Sequence, residues 1–284
     1  MTHRFVRLLA SVTSEAEARL AAHGGADIID CKDPAAGALG ALPHAVVARI
    51  RGALPAHIPV SATVGDLVAE PQPVLEAACA MAATGCDLVK VGFFPGGDAL
   101  ATVAHLGRHL AGRTPVVAVL MADAPRDRAL VPALGEAGFA GVMLDTARKD
   151  GRTLLDHCPP GALRAFIAEA RAAGLFAGLA GSLRHAQVPE LLALGADVLG
   201  FRGALCSASD RRSALDAAAL ADIRRAIPFA PTSPPPLWGR AGGGEPQTLA
   251  AFRTPYTPDP SPRRMEDSPS TRGGGECVAL ERIP

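Results

Sequence analysis

One phrase recurs along this chain and limits its fold more than any other feature. Gly25-Ala-Asp-Ile-Ile-Asp30, Gly85-Cys-Asp-Leu-Val-Lys90 and Gly195-Ala-Asp-Val-Leu-Gly200 share a single pattern, and Gly138-Phe-Ala-Gly-Val-Met-Leu-Asp145 is a looser copy. The copies recur every 53–60 residues, the length of two strand–helix units. Between them, short β-branched runs alternate with Ala-rich helical text. Strands are expected near 4–10, 27–32, 58–63, 87–92, 115–121, 141–145, 175–179 and 197–201. Helices are expected near 14–23, 43–52, 73–84, 97–111, 130–137, 160–173, 183–193 and 210–226. This regular alternation predicts an α/β protein, a single closed (βα)8 TIM barrel in which the repeated phrase marks strands 2, 4, 6 and 8. The rival is a doubly wound sheet, but no G-x-G-x-x-G follows the first strand and no G-x-x-x-x-G-K-[ST] occurs anywhere.

The barrel text ends at about residue 228. Residues 1–228 are dense in Ala, Leu, Val and Gly, a comfortable size for one catalytic barrel domain. Residues 229–284 turn Pro-rich and Gly-rich and repeat an Arg…Gly-Gly-Gly-Glu phrase, so a disordered tail outside the chemistry is expected. The formal charge is zero, which gives no electrostatic reason to bind nucleic acid or an anionic membrane. Six cysteines without a CxxC pair read as reduced thiols, and the start of the chain reads as a strand and helix, not a signal peptide. The expected location is the cytoplasm, and the expected assembly a homo-oligomer.

Of the 28 lysines and arginines, only Lys32, Lys90 and Lys149 are lysine; 25 are arginine. Arginine supplies a permanent cation, whereas lysine shifts its pKa readily and attacks carbonyls. Strand periodicity shows where these lysines point. One parity of the four copies holds Ile29, Cys31, Val89, Val91, Val142, Leu144, Leu199 and Phe201, all suited to packing under helices. The other holds Asp30, Lys32, Lys90, Asp145 and Arg202, which therefore point into the barrel at the C-terminal strand ends, where barrel enzymes do their chemistry. Lys149 follows four residues after Asp145 in the rim of the same mouth.

Desolvation and neighbouring cations favour the neutral amine of a buried lysine, and a neutral amine attacks an aldehyde. Lys32 is the expected nucleophile and Lys90 the second cation or proton-transfer base. Asp30 and Asp145 would hold the lysines or shuttle protons. The alternative, buried ion pairs that only close the barrel, fits poorly with interiors normally filled by apolar layers. A phosphate site is expected in the loops after strands 7 and 8, formed by Gly181, Ser182 at the start of the next helix, Arg202 and Gly203. Weaker candidates are Ser61 and Thr63 near the mouth and Asp123 at the end of strand 5. His105 and His109 are spaced i,i+4 without a third ligand, so no metal and no cofactor are expected.

These residues together resemble the (5-formylfuran-3-yl)methyl phosphate synthase family. The resemblance is carried by Gly24–Pro34 with Gly37-Ala-Leu-Gly40, Val60–Asp66, Asp87–Gly92, Val142–Gly151, Leu179–Ser182 and Gly200–Ala204, in order across residues 6–226. Phe93-Phe-Pro-Gly-Gly97 stands where the family has a shorter Leu-Tyr-Gly-like run. The resemblance implies a lyase of methanofuran biosynthesis that condenses two glyceraldehyde 3-phosphate molecules, losing one phosphate and two waters, to 4-(hydroxymethyl)-2-furancarboxaldehyde phosphate. It makes Lys32 the Schiff-base lysine and Lys90 the proton acceptor, assisted by Asp30, Asp145 and Lys149, with a phosphorylated aldehyde as the small-molecule partner. An ordinary class I aldolase would use the same lysines without eliminating phosphate. A non-catalytic phosphosugar-binding barrel would have no need of lysine in place of arginine.

Overall fold

The computed structural model of the chain describes residues 5–125 and 127–228; the expected tail, 229–284, lies outside them. Eight parallel strands close into a barrel in chain order: β1 (Arg7–Val12), β2 (Ile28–Cys31), β3 (Val60–Thr63), β4 (Leu88–Phe93), β5 (Val116–Met121), β6 (Gly141–Asp145), β7 (Phe176–Leu179) and β8 (Val198–Phe201). Around them run α1 (Glu15–His23), α2 (His44–Ala53), α3 (Pro71–Ala82), α4 (Ala99–Leu106), α5 (Leu130–Glu136), α6 (Leu154–His157), α7 (Pro160–Ala172), α8 (Val188–Leu194) and α9 (Ala217–Ala226). No helix among the described residues is long and apolar enough to cross a membrane.

The repeated phrase has a structural explanation. Its glycine ends the preceding helix in a left-handed conformation, with φ of 83° at Gly25, 85° at Gly85, 76° at Gly138 and 79° at Gly195, which a side chain disfavours. Its aspartate fastens the N-terminal end of the barrel. Asp27 accepts the amide of Leu8 on β1 (2.7 Å), Asp87 that of Val60 on β3 (2.8 Å) and Asp197 that of Ala177 on β7 (2.9 Å). Each then takes an arginine: Asp87 from α2 (Arg51) and Asp197 from α7 (Arg171), the helices that lead into β3 and β7, and Asp27 from the last helix, α9 (Arg224). The looser copy has Ala140 at this position, and its strand is held without a carboxylate.

The two strand parities separate as the alternation predicts. Ile29, Cys31, Val89, Val91, Val142, Leu144, Leu199 and Phe201 all lie in the shell between sheet and helices. Inside the barrel lies a second apolar cluster of Leu9, Ile28, Leu88, Val117, Val119, Met121, Met143, Phe176 and Val198, with Leu39 entering from the β2–α2 loop. Buried polar and charged side chains at Ser11, Asp30, Ser61 and Lys90 adjoin this cluster on the β1–β4 side.

Four boundaries differ from the sequence expectation, each for a local reason. β1 starts at Arg7, not near residue 4, which brings Ser11 into the strand. The expected long helix near 97–111 is α4 followed by a wider π-type turn, Gly107–Ala111. α8 begins at Val188 after a tight turn at His185–Gln187, and α9 begins at Ala217, where the Asp216 side chain accepts the amides of Ala218 and Ala219. The short α6 was not expected; Thr153 and Asp156 cap it reciprocally.

Removing one motif carboxylate orphans both a strand amide and a shielded arginine. Asp87→Ala is therefore expected to cost about 2–4 kcal/mol in urea unfolding. Asp222→Ala, which breaks an exposed pair with Arg225, should stay within about 0.5 kcal/mol.

Candidate active site

Two buried carboxylates organise the C-terminal mouth. Asp30 on β2 is fully buried. Its Oδ1 accepts from Ser61 Oγ of β3 at 2.7 Å and from Lys90 Nζ of β4 at 3.0 Å, and its Oδ2 accepts from Ser11 Oγ of β1 at 2.9 Å. Asp145 ends β6 one layer higher. Its Oδ1 accepts from the Thr146 amide and from Lys149 Nζ, both at 2.7 Å, and its Oδ2 faces Lys32 Nζ at 3.3 Å. Lys149 also donates to Thr146 Oγ1 at 3.1 Å. Lys90 and Asp30 thus form one ion-paired set and Lys32, Lys149 and Asp145 another, and the field of Lys32 at Asp30 links the two.

The repeat also explains the layering. Asp30 and Lys90 hold equivalent positions in two copies, and Lys32 and Asp145 hold equivalent positions two residues further on. Each ion pair forms between strands within its own layer. Lys90 lies deepest, with 5% of its side chain exposed; Lys32 has 9% and Lys149, at the rim, 17%.

Charge balance sets the protonation states. Burial works to raise both carboxyls, yet both lie below the ordinary aspartate value: Asp30 because of Lys90 and Lys32, Asp145 because of Lys149 and Lys32. Lys149 is shifted down, first by burial and then by the fields of Lys32 and Arg211, against the opposing pull of Asp145. Three amines over two ionised carboxylates leave an excess of positive charge, which suits an anionic substrate and favours release of a proton from one amine.

The loops after β7 and β8 have distinctive backbone conformations. Gly181 has φ of 110°, and a Cβ there would press on Thr146 at 3.0 Å, so only glycine fits. Ser182 is in a left-handed conformation at φ 51°, within a bend rather than at the start of a helix, because α8 begins only at Val188. The amide N–H groups of Gly181, Ser182, Gly203 and Ala204 donate to no acceptor among the described residues. Arg202 is a correction. Its Nε donates to Arg211 O (2.9 Å), one terminal nitrogen to Ser11 O (3.1 Å) and Glu17 Oε2 (2.6 Å), and the other to Glu17 Oε1 (3.3 Å) and Ser213 O (2.9 Å). Every guanidinium N–H is engaged, so Arg202 is a latch and has no donor left for phosphate.

Of the weaker candidates, Ser61 joins the Asp30 set, whereas Thr63 and Asp123 bond to backbone. Thr63 donates to Gly40 O and Cys31 O, and Asp123 accepts the amides of Ala147 and Arg148, fastening the β6 loop. His105 and His109 stack at 4.6 Å on an outer helix, and no group of three metal-ligating side chains occurs among the described residues. Sequence reasoning missed Ser11, Glu17 and Arg211. A cavity of about 390 Å³ between the β4 and β5 loops, lined by Phe94, Leu120, Met121 and Pro125, contains none of the lysines.

The carboxylate shifts have a direct consequence. A group held below its unfolded value stabilises the fold above the ordinary aspartate pKa of 3.8, and that stability is lost as the pH falls through the native value. Urea unfolding should therefore show stability falling between about pH 5 and about pH 2. Asp30→Asn should be less stable at neutral pH and lose less over that interval; an unchanged acid slope would contradict the assignment.

Residues 8–224 match the sequence profile of 4-HFC-P synthase. The chain is 39% identical over 215 residues to (5-formylfuran-3-yl)methyl phosphate synthase of Methanococcus aeolicus, covering 72% of this chain and 92% of that protein. It is 38% identical over 217 residues to the protein of that name from Methanocaldococcus jannaschii, with the same coverage. Among solved structures, phosphoribosyl anthranilate isomerase of Thermus thermophilus superposes with a TM-score of 0.56 at 18% identity, over 78% of this chain and 98% of that one. A 3-hexulose-6-phosphate synthase gives 0.54 at 23%, over 78% and 100%. These structures show the barrel fold alone. The sequence match spans the barrel, including all three lysines and both carboxylates, and the chain belongs to the (5-formylfuran-3-yl)methyl phosphate synthase family.

Proposed function

We propose that this barrel condenses two molecules of glyceraldehyde 3-phosphate, through an imine on Lys32, to 4-(hydroxymethyl)-2-furancarboxaldehyde phosphate, as a lyase of methanofuran-type biosynthesis. The observation that carries the reading is the pairing of Lys32 with Asp145, which Lys149 shares. A nucleophilic amine needs a route to lose its proton, and the shared carboxylate and the pKa-depressed Lys149 supply one. Lys32 Nζ attacks the aldehyde carbon, and the carbinolamine loses water with a proton passed through Asp145. The iminium acidifies the neighbouring C–H, and Lys90 in its neutral amine form, oriented by Asp30, accepts that proton. Overall the atoms balance: two triose phosphates yield one furan phosphate, one inorganic phosphate and two waters, and the imine is returned by hydrolysis.

The free amides at Gly181, Ser182 and Gly203 suit the substrate phosphate. The reaction is assigned to the cytoplasm, in keeping with the free thiols of Cys31, Cys79, Cys86, Cys158 and Cys206.

Incubation with glyceraldehyde 3-phosphate should give the furan together with equimolar phosphate; a stable carbon–carbon adduct without phosphate release would favour the class I aldolase reading. Lys32→Arg keeps the charge but cannot form an imine, so furan formation should fall by at least about 10³-fold while circular dichroism shows an intact barrel. Normal turnover in a folded Lys32→Arg protein would overturn the proposal.

A further inference from the structure

Arg202 was the cation expected at the phosphate loops, and it is locked. What it locks is informative. With Glu17 it holds the backbone of the loop between β8 and α9 at Arg211 O and Ser213 O, and Glu17 also accepts the amide of Leu215 at 3.1 Å. This fixes Arg211 directly above Gly203, where a Cβ on Gly203 would lie 3.9 Å from Arg211 Cβ. From there the Arg211 side chain reaches across the mouth and donates to Gly37 O of the β2 loop at 2.8 Å. It lies close enough to the lysine cluster for its charge to act on Asp145 and Lys149.

Arg211 differs from four other shielded arginines in having no direct ion pair. Arg51, Arg171, Arg202 and Arg224 each meet a carboxylate at 3.4 Å or less, and Arg7 sits in the field of Asp27 and Asp197. Half-buried Arg211 has no carboxylate within ion-pair distance among the described residues; its side chain's one hydrogen bond there is to Gly37 O, and Asp145 and Asp66 act on it only through their longer-range fields. A partly desolvated guanidinium without an anion is unfavourable, and its planar fork matches a phosphate dianion. The root of the Arg211 side chain packs on Gly203, and the amides of Gly203 and the adjoining Ala204 donate to no acceptor among the described residues.

We propose that Arg211 is the phosphate-binding cation of this site: it clamps the phosphomonoester of a bound triose phosphate against the Gly203–Ala204 amides and is positioned for that by the Glu17–Arg202 latch. The inference rests on the reading of the site as one for phosphorylated aldehydes, and it is tested without the imine chemistry. sn-Glycerol 3-phosphate carries the phosphate but no aldehyde. Calorimetric titration of the full chain should give saturable binding of this compound that Arg211→Gln weakens at least tenfold, and that Arg211→Lys, keeping charge without the fork, weakens less. Thermal unfolding without ligand should be nearly the same in all three proteins, and the ligand should raise the midpoint of wild type far more than that of Arg211→Gln. Equal affinity of wild type and Arg211→Gln would overturn the assignment, as would a wild type that does not bind the compound. If Arg211→Gln fails to fold, Arg211→Lys decides alone: unchanged affinity overturns the proposal. A failure of imine formation at Lys32 would leave these binding results untouched, so the two readings fail separately.

Discussion

The arrangement of the mouth follows from one constraint: Asp30 and Asp145 are ionised in places that water scarcely reaches. A buried carboxylate persists only with cations and donors around it. Asp30 has Lys90 and two serine hydroxyls, while Asp145 has two lysines and a backbone amide. That set adjoins the interior apolar cluster and holds three amines in one place. An ion-paired network is a poor stabiliser compared with packed aliphatic side chains. Its presence beside the interior apolar cluster, at the end of the barrel where catalytic groups gather, is a chemical feature that the fold does not require.

The repeated phrase serves the two ends of the barrel differently. At the bottom, its glycine and first aspartate end a helix and fasten the neighbouring strand, and this role recurs nearly unchanged in three copies. At the top, equivalent positions have diverged. One carries Asp30, Lys90, Met143 and Gly200, the next Lys32, Gly92, Asp145 and Arg202. A fourfold scaffold thus presents a mixed set of charges to its interior without altering the backbone that carries them. The two glycines and the methionine in this set leave room: Gly92 admits Leu39 and Phe94, and Gly200 packs on Ala180 and Met143.

Much of this was legible in the sequence, because strand parity is a strong rule. Alternation placed Ile29, Cys31, Val89 and Val91 outward and Asp30, Lys32 and Lys90 inward, and an inward charge near a strand end has few places to go. Parity says nothing about partners. Arg202 does face inward, but Glu17, hidden among the acidic residues of α1, takes its donors. Ser11 was missed because β1 was placed too early, ending before it. Arg211 was read as part of the last helix, whereas Asp216 caps that helix and leaves residues 210–215 as a loop over the mouth. Local propensity could not show that loop, because what fixes it is a contact between residues nearly two hundred positions apart in sequence.

The central claim is that Lys32, and not its two neighbours, bonds covalently to the substrate aldehyde. Borohydride reduction in the presence of glyceraldehyde 3-phosphate, followed by proteolysis and peptide mass mapping, addresses it most directly. The account predicts a single reduced adduct on the peptide containing Lys32, absent when borohydride or substrate is omitted. An adduct on Lys90 or Lys149 with Lys32 unmodified would contradict the assignment of roles, and the absence of any lysine adduct under turnover conditions would contradict the covalent mechanism itself.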